Sequence, residues 1–322
     1  MLVKISIRKI MVATLALCAL LILYIMPDSK TVDYQLSNNN IEYIYTNAIE
    51  VIYLLDSNDY IARTTIAGCD CDTLETAKDL VQGLIIDGEK NNIIPNGFRP
   101  IIPSGTEVLD VTLEEKILTI NFSKEILDIT KDYEEKMIES IIYSLTSIEG
   151  INKVIIQVEG EVLSKLPISG KLLPALLDRS YGINKSYNIV NTNNIESYTV
   201  YYVSNYNDNQ YYVPVTKYIN SNKKDKIKVI IDELSTSPIY EANLMSYLNS
   251  NINLIDYSLN DKVLSLNFND YILNDNSTDK ILEEVIYTIG LSVMDNFEVE
   301  EVSILANNEE ICKKSLKSLE FK

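Results

Sequence analysis

Histidine and tryptophan are both absent from the chain. Without an imidazole, the commonest general base and the commonest zinc ligand are missing together. Serine–histidine and cysteine–histidine catalytic systems are therefore excluded. Cysteine is scarce: Cys18 lies in an apolar N-terminal run, Cys312 stands alone, and Cys69-Asp70-Cys71 has no second pair with which to build a zinc site. No cysteine framework ties either half together, so the fold must rest on its cores. Basic residues are also short. The net charge is −18, and setting aside Lys4, Arg8 and Lys9 leaves 25 basic side chains against 46 acidic ones, a balance of −21. Such a surface repels nucleic acid and anionic headgroups and favours a basic partner. Phenylalanine is rare (5) and tyrosine abundant (22). With many Ile, Asn and Lys residues, this reads as the codon bias of an AT-rich genome, without a binding role for the tyrosines.

Only one long hydrophobic run is present. Lys4, Arg8 and Lys9 precede an uncharged apolar stretch from Ile10 to Met26, about as short as a spanning helix can be. A cleaved signal would need small residues where Leu23-Tyr24-Ile25-Met26 stands. A lipoprotein signal would need a small residue before Cys18, where Leu17 stands. The reading is therefore a signal anchor at 10–26 behind a cytoplasmic tail at 1–9, with a lipoprotein as the alternative. The positive-inside rule then places everything after Pro27 outside. Residues 27–48, with Ser37-Asn38-Asn39-Asn40, are too polar to fold alone and read as a stalk.

What is there is a repeat. Val108-Leu109-Asp110-Val111-Thr112-Leu113, Glu114-Glu115 and Lys116-Ile117-Leu118-Thr119-Ile120-Asn121-Phe122 is answered by Leu254-Ile255-Asp256-Tyr257-Ser258-Leu259, Asn260-Asp261 and Lys262-Val263-Leu264-Ser265-Leu266-Asn267-Phe268. Each copy reads as a hairpin, with Leu109, Val111 and Leu113 (Ile255, Tyr257 and Leu259) on the core face. An earlier hairpin spans 51–64 and, in the second copy, 198–216, where Pro214 predicts an edge or bulged strand. Helical spacing follows at Leu74, Ala77, Leu80, Val81 and Leu84, and at Ile227, Ile230, Ile231 and Leu234. A second helix carries Met137, Ile138, Ile141, Ile142 and Leu145, matched to Ile281, Leu282, Val285, Ile286 and Ile289, with Tyr143 beside the stripe as Tyr287 is. A last strand runs over 154–158 and 302–306.

These patterns predict an α+β protein: two tandem two-layer α/β modules (hairpin, helix, hairpin, helix, strand) behind an N-terminal transmembrane anchor. Two helices would cover one face of one mostly antiparallel or mixed sheet. The expected bounds are 49–160 for the first domain, 161–196 for an extension and linker, 197–312 for the second domain and 313–322 for a tail.

Ser104-Gly105-Thr106, the strand ends Asn121-Phe122-Ser123 and Asn267-Phe268-Asn269, Ile142-Tyr143-Ser144-Leu145-Thr146 with Ile286-Tyr287-Thr288-Ile289, and Gly170-Lys171-Leu172-Leu173-Pro174 through Gly182-Ile183-Asn184 carry a resemblance. The chain resembles the GerM family of sporulation and germination proteins, built from tandem GerMN domains, over roughly 49–312. The resemblance implies a membrane-attached, extracytoplasmic protein that helps assemble a channel or engulfment complex between mother cell and forespore. Its expected partners are proteins of that spore-envelope machinery, with the membrane reached through the anchor. The chain departs from the family at the lipid-attachment cysteine, because Leu17 spoils the signal.

No catalytic, cofactor-binding or metal-binding residue is predicted, and no cofactor. Ser221-Asn222-Lys223-Lys224 reads as a polar loop without the partner motifs of penicillin-binding enzymes. Glu114-Glu115 and Asp132 with Glu134-Glu135 show no sign of burial, as a cell-wall glycosidase would require. The expected function is non-enzymatic assembly, without nucleic acid or a small-molecule ligand. The alternative is a solute- or peptide-binding protein using the cleft between the domains, with 161–196 as its hinge; a cell-wall-acting enzyme ranks below both.

Overall fold

The computed structural model describes residues 49–220, 225–236, 243–273 and 280–315, together with Arg8, Met11, Thr14 and Leu17, which are helical. The chain divides into a unit over Met1–Tyr45 and a compact unit over Thr46–Lys322, which holds both repeats. Apart from Met11, Thr14 and Leu17, the predicted anchor at 10–26 lies outside the described residues, as do Cys18 and the stalk up to residue 48. Among the described residues no helix is long and apolar enough to cross a membrane.

The first module runs β1 (Ile49–Asp56), β2 (Ile61–Ala67), α1 (Thr73–Leu84), β3 (Phe98–Arg99), β4 (Val108–Glu114), β5 (Ile117–Phe122), α2 (Lys131–Leu145), β6 (Lys153–Val158) and β7 (Glu161–Val162). The connection contributes β8 (Ser186–Asn188). The second module runs β9 (Ile195–Tyr206), β10 (Asn209–Asn220), α3 (Lys226–Ser235), β11 (Leu254–Asn260), β12 (Val263–Phe268), α4 (Glu283–Asn296), β13 (Glu301–Ala306) and β14 (Glu309–Ser315). Local chemistry sets these boundaries. The Asp56 carboxylate accepts the N–H groups of Asn58 and Tyr60 and closes the first hairpin. Asp72 and Asp225 cap α1 and α3. Two-residue turns with both φ positive join β4 to β5 (Glu115-Lys116), β9 to β10 (Asn207-Asp208), β11 to β12 (Asp261-Lys262) and β13 to β14 (Asn307-Asn308), the turn geometry whose twist matches a hairpin.

The strands do not form one sheet per module. The second hairpins build separate four-stranded sheets, β4-β5-β6-β7 and β11-β12-β13-β14. The first hairpins of both modules join in a single six-stranded sheet, β3-β1-β2-β10, with β8 and β9 also paired to β10. The expected two-layer module is therefore corrected: α2 is buried from Met137 to Leu145 on every side, because it contacts both β1 and β6. Serines solve the polar problem this creates. Ser144 Oγ accepts the Tyr53 N–H at 2.9 Å, and the Ser140 and Ser147 hydroxyls donate to the carbonyls of Tyr53 and Val51 at 2.6 and 2.9 Å. From Val51 to Tyr53 the edge of β1 is thus paired to a helix, and β3 takes over at Leu55 and Asp56.

The second module repeats the device. Ser292 Oγ accepts the Tyr201 N–H at 2.9 Å, and the Asn296 amide holds both backbone groups of Thr199. Tyr53 and Tyr201 lie 148 residues apart, as do Ser144 and Ser292. The sequence pairing of Met137 with Ile281, and of Tyr143 with Tyr287, is consequently one helical turn out of register. Tyr143 packs edge-on against Tyr53, whereas Tyr287 stacks on Tyr212.

The long connection is pinned to both modules. Burial would raise the Glu134 carboxyl, but the Ser169 hydroxyl and the N–H groups of Ile168 and Ser169 outweigh it and hold the group below the usual carboxylate range. Leu166, Leu173, Leu177 and Ile183 enter the first core. Asn184, with φ of 45°, accepts the Ile61 N–H and donates to the carbonyls of Ile61 and Pro214. Pro214 is thus not on an edge strand: β10 pairs with β9 along its length, and on its other side with β2 at Tyr212 and with β8 from Lys217 to Ile219. The proline falls in the gap between those two partners, where no ladder N–H is required.

Ser292→Ala leaves the buried Tyr201 N–H without a partner, and urea unfolding is expected to show a loss of roughly 1–3 kcal/mol. Glu134→Gln is expected to destabilise at neutral pH. Because the native carboxyl is depressed, its contribution is present above the unfolded value of 4.5 and fades as pH falls through the native one. The gap in stability between wild type and Glu134→Gln should therefore shrink in acid, which denaturation from pH 7 to pH ~3 will check.

Candidate functional site at the module junction

Equivalent residues of the two repeats meet at the junction. The Tyr53 and Tyr201 hydroxyls are 3.1 Å apart. Arg63 of β2 pairs with Tyr212 of β10 on antiparallel strands. The repeats therefore face each other through like surfaces, as subunits do across a two-fold axis. The Tyr211 hydroxyl of the second module reaches the buried Asp56 of the first at 2.9 Å, and Ala62 of β2 lies in the second module's core.

One cation holds this junction closed. Arg179 projects from a short turn, Arg179–Tyr181, capped by Asp178. Its guanidinium forms an ion pair with Asp295 on α4, whose side chain is 2% exposed. It also donates to Thr146 Oγ1 at 3.0 Å and lies over the rings of Tyr143 and Tyr53 at 5.0 and 5.7 Å. The second Asp295 oxygen accepts the Tyr201 hydroxyl at 2.7 Å. Burial disfavours the Arg179 charge, yet Asp295 and the ring of tyrosines more than offset this and keep it charged. Burial, then Asp295, pushes the Tyr201 and Tyr143 hydroxyls up, so both remain protonated donors. A cavity of about 240 Å³ opens beside the pair, bounded by Val51, Tyr53, Arg63, Arg179, Met294 and Asp295.

A second charged cluster lies where the connection crosses α2. Lys185 bridges Glu135 and Glu139 at 2.6 and 3.3 Å and sits over the Tyr181 ring at 3.5 Å. Lys171 reaches the same Glu135 oxygen at 2.6 Å. Burial raises the Glu139 carboxyl in spite of Lys185. These contacts spend the charges on joining segments of this chain.

The carboxylates singled out in the sequence separate. Glu114 and Glu115 are exposed at a hairpin turn, and Asp132 is exposed on α2. Glu134, expected at the surface, is buried because the connection folds over it. Ser221-Asn222-Lys223-Lys224 lies outside the described residues. Cys69 and Cys71, read as too few for a zinc site or a stapling framework, form a disulfide with each other, which ties no distant segments together. Sequence reasoning missed Arg179 and Asp295, and noted Asn184 only as part of the resemblance, without its junction contacts. One signal was available, since arginine is scarce in this lysine-rich chain: Arg8, Arg63, Arg99 and Arg179. Tyrosines assigned to composition alone turn out to be the junction's polar anchors.

The second hairpins also depart from expectation. In both copies a bulge follows the first residue, between Val108 and Asp110 and between Leu254 and Asp256. It turns Leu109 and Ile255 outward, 46% and 53% exposed. Val111 is buried as predicted, but its counterpart Tyr257 is not, and Leu259 is 51% exposed. β11 is an edge strand, and among the described residues it has no partner on its outer side.

Fold and junction define a tandem-repeat α/β protein whose two modules are sealed into one block by a shared sheet and a buried ion pair. A family model for sporulation and spore germination, Germane, matches residues 51–164 and 199–312. The spore germination protein GerM of Bacillus subtilis (strain 168) is 30% identical over 260 residues, 80% of this chain and 70% of that protein. The solved tandem GerMN domains of the sporulation protein GerM from Bacillus subtilis match with a TM-score of 0.75 at 30% identity, covering 81% of this chain and 92% of that one. The chain belongs to the Germane family of sporulation and spore germination proteins.

Asp295→Ala would leave the Arg179 guanidinium, whose side chain is only 23% exposed, without its counter-ion, and a loss of roughly 2–3 kcal/mol is expected. The paired change Arg179→Met with Asp295→Leu should recover most of it. Urea unfolding of the four proteins measures the coupling.

Proposed function

We propose that the chain is a non-enzymatic, membrane-anchored, extracytoplasmic assembly protein of the sporulating cell or the germinating spore. The anchor reading rests on residues 10–26 and the three basic residues before them. The partners proposed are proteins of the spore envelope or of the channel between mother cell and forespore. One observation carries the docking role: the unpaired edge β11 presents Ile255, Tyr257 and Leu259 to solvent, on a strand exposed along nearly its whole length. An open, apolar edge of this kind is a template for another chain, and proteins without a partner for it usually blunt it. The rigid junction supports the same reading, because a docking surface held on one block needs no ordering on contact. The cleft-binding alternative finds less support. A hinge at 161–196 would have to break the Asn184 contacts, the β8–β10 pairing and the Arg179–Asp295 pair.

A photo-crosslinking residue placed at Ser258, on β11, is expected to capture an envelope protein in cells during sporulation. Tyr257→Lys with Leu259→Lys should abolish capture and lower the yield of germination-competent spores while Tm is unchanged. Capture of cell wall alone, or an unaltered spore yield with the lysine variant, would sink the docking role.

A further inference from the structure

The pair Cys69 and Cys71 has no evident structural task. Its disulfide spans two residues in sequence, and a cross-link over so short a step removes little entropy from the unfolded chain. It joins no separate elements, and the second module folds with no cysteine before Cys312. Both cysteines are half-buried and the intervening Asp70 is exposed, so the sulfurs lie within reach of another protein. Accessible disulfides of this kind are the ones used for exchange rather than for stapling.

The surroundings of the pair are suited to that chemistry. The disulfide lies just before the N-terminus of α1, where the helix dipole favours a thiolate, although the Asp72 carboxylate already takes the Leu74 and Glu75 N–H groups. The Thr76 hydroxyl of the first turn is 3.6 Å from Cys71 Sγ and 3.9 Å from Cys69 Sγ. Behind the pair lies a carboxyl that the junction does not use. Glu50, on β1, is 9% exposed, and its Oε1 accepts the Cys69 N–H at 3.2 Å. Among the described residues its Oε2 has no hydrogen-bond partner. A Glu50 oxygen, Cys69 Sγ and an Asp79 oxygen all lie within 4.8 Å of one another. Gly68 permits this approach, since a Cβ there would stand 2.4 Å from Glu50 Oε1. The charged groups facing Glu50 are Asp79 of α1 and Lys90, which are paired to each other at 2.8 Å.

We propose that Cys69 and Cys71 form a thiol–disulfide exchange site for cysteine thiols of a partner protein, with the buried Glu50 as proton donor to the departing Cys69 sulfur. Burial is the main cause that raises the Glu50 carboxyl above its usual range, with Asp79 adding to it and the Cys69 N–H and Lys90 opposing. The group therefore keeps its proton to higher pH than an ordinary glutamate. In the first step a partner thiolate attacks Cys71 Sγ. A partner–Cys71 bond forms, the Cys69–Cys71 bond breaks, and its electron pair leaves on Cys69 Sγ, which takes the Glu50 proton. A second partner thiolate then attacks the partner sulfur of the mixed disulfide. The partner leaves as its own disulfide, Cys71 leaves as a thiolate that water protonates, and Glu50 regains a proton from solvent. Two electrons pass from the partner dithiol to the pair; run in reverse, the reduced pair reduces a partner disulfide. The site is independent of docking through β11.

The test mixes the oxidised full-length chain, in detergent, with reduced glutathione and follows the mixed disulfide by mass spectrometry. Wild type is expected to form it at Cys71, at a rate per glutathione thiolate about tenfold above that of Glu50→Gln, with Glu50→Asp partly restoring the rate. The wild-type rate should fall with an inflection above the ordinary glutamate range, and Glu50→Gln should lose that inflection. Equal rates and pH profiles for wild type and Glu50→Gln, or a pair that glutathione does not open, overturn the proposal. So does a reduced chain that takes up one zinc ion through Cys69, Glu50 and Asp79 and then no longer exchanges. Should Glu50→Gln not fold, the wild-type pH profile alone decides, and its lack of an inflection overturns the assignment.

Discussion

A β-hairpin alone leaves two open edges, and the arrangement of this molecule follows from how the edges of β1, β2, β9 and β10 are satisfied. Along residues 51–53 of β1 and 199–201 of β9 the partner is a helix: hydroxyl and amide side chains on α2, just past its end at Ser147, and on α4 take the backbone groups of Val51, Tyr53, Thr199 and Tyr201. Along β2 the partner is β10 of the other module. Backbone groups removed from water must be paired, so once the helices cover one side the hairpins must meet on the other. The shared sheet and the facing tyrosines are consequences.

Bringing the hairpins together buries polar groups, and the junction is built to satisfy them. Arg179 comes from neither repeat but from the connection between them, and its guanidinium occupies the space among Tyr53, Tyr143 and Asp295. Asn184, from the same connection, fills the gap that Pro214 leaves beside β10. A buried ion pair contributes little net stability relative to a well-packed apolar replacement. Its contribution here is geometric, because each tyrosine and each carboxylate oxygen in the network accepts one position only. The connection is therefore part of the junction.

The repeats are not used alike. The first carries the exchange-competent cysteine pair and a β4 anchored by the buried Val111, while the second carries a β11 with no buried residue. Their shared bulge turns one apolar residue outward in each, but only in the second copy does the rest of the strand follow it into solvent. Duplication supplied two similar scaffolds, and their surfaces diverged.

The sequence by itself determined the repeat, the order of hairpins, helices and strands and most of the apolar core, because each depends on neighbours a few residues apart. The strand pairings Val111 with Ile120 and Leu113 with Leu118 follow from alternation, whereas the bulge takes Leu109 out of the ladder. The register of α2 against α4 did not, because a slip of one turn leaves an apolar stripe on the same face. Only the contacts of Ser144 and Ser292 with the strands distinguish the two registers. Nor could period and composition show that β1 and β5 belong to different sheets, that Glu134 would be covered, or that Arg179 and Asp295, 116 residues apart, would meet. Those outcomes were decided by the tertiary structure, since they depend on which edges and charges remain unsatisfied after the local elements have formed.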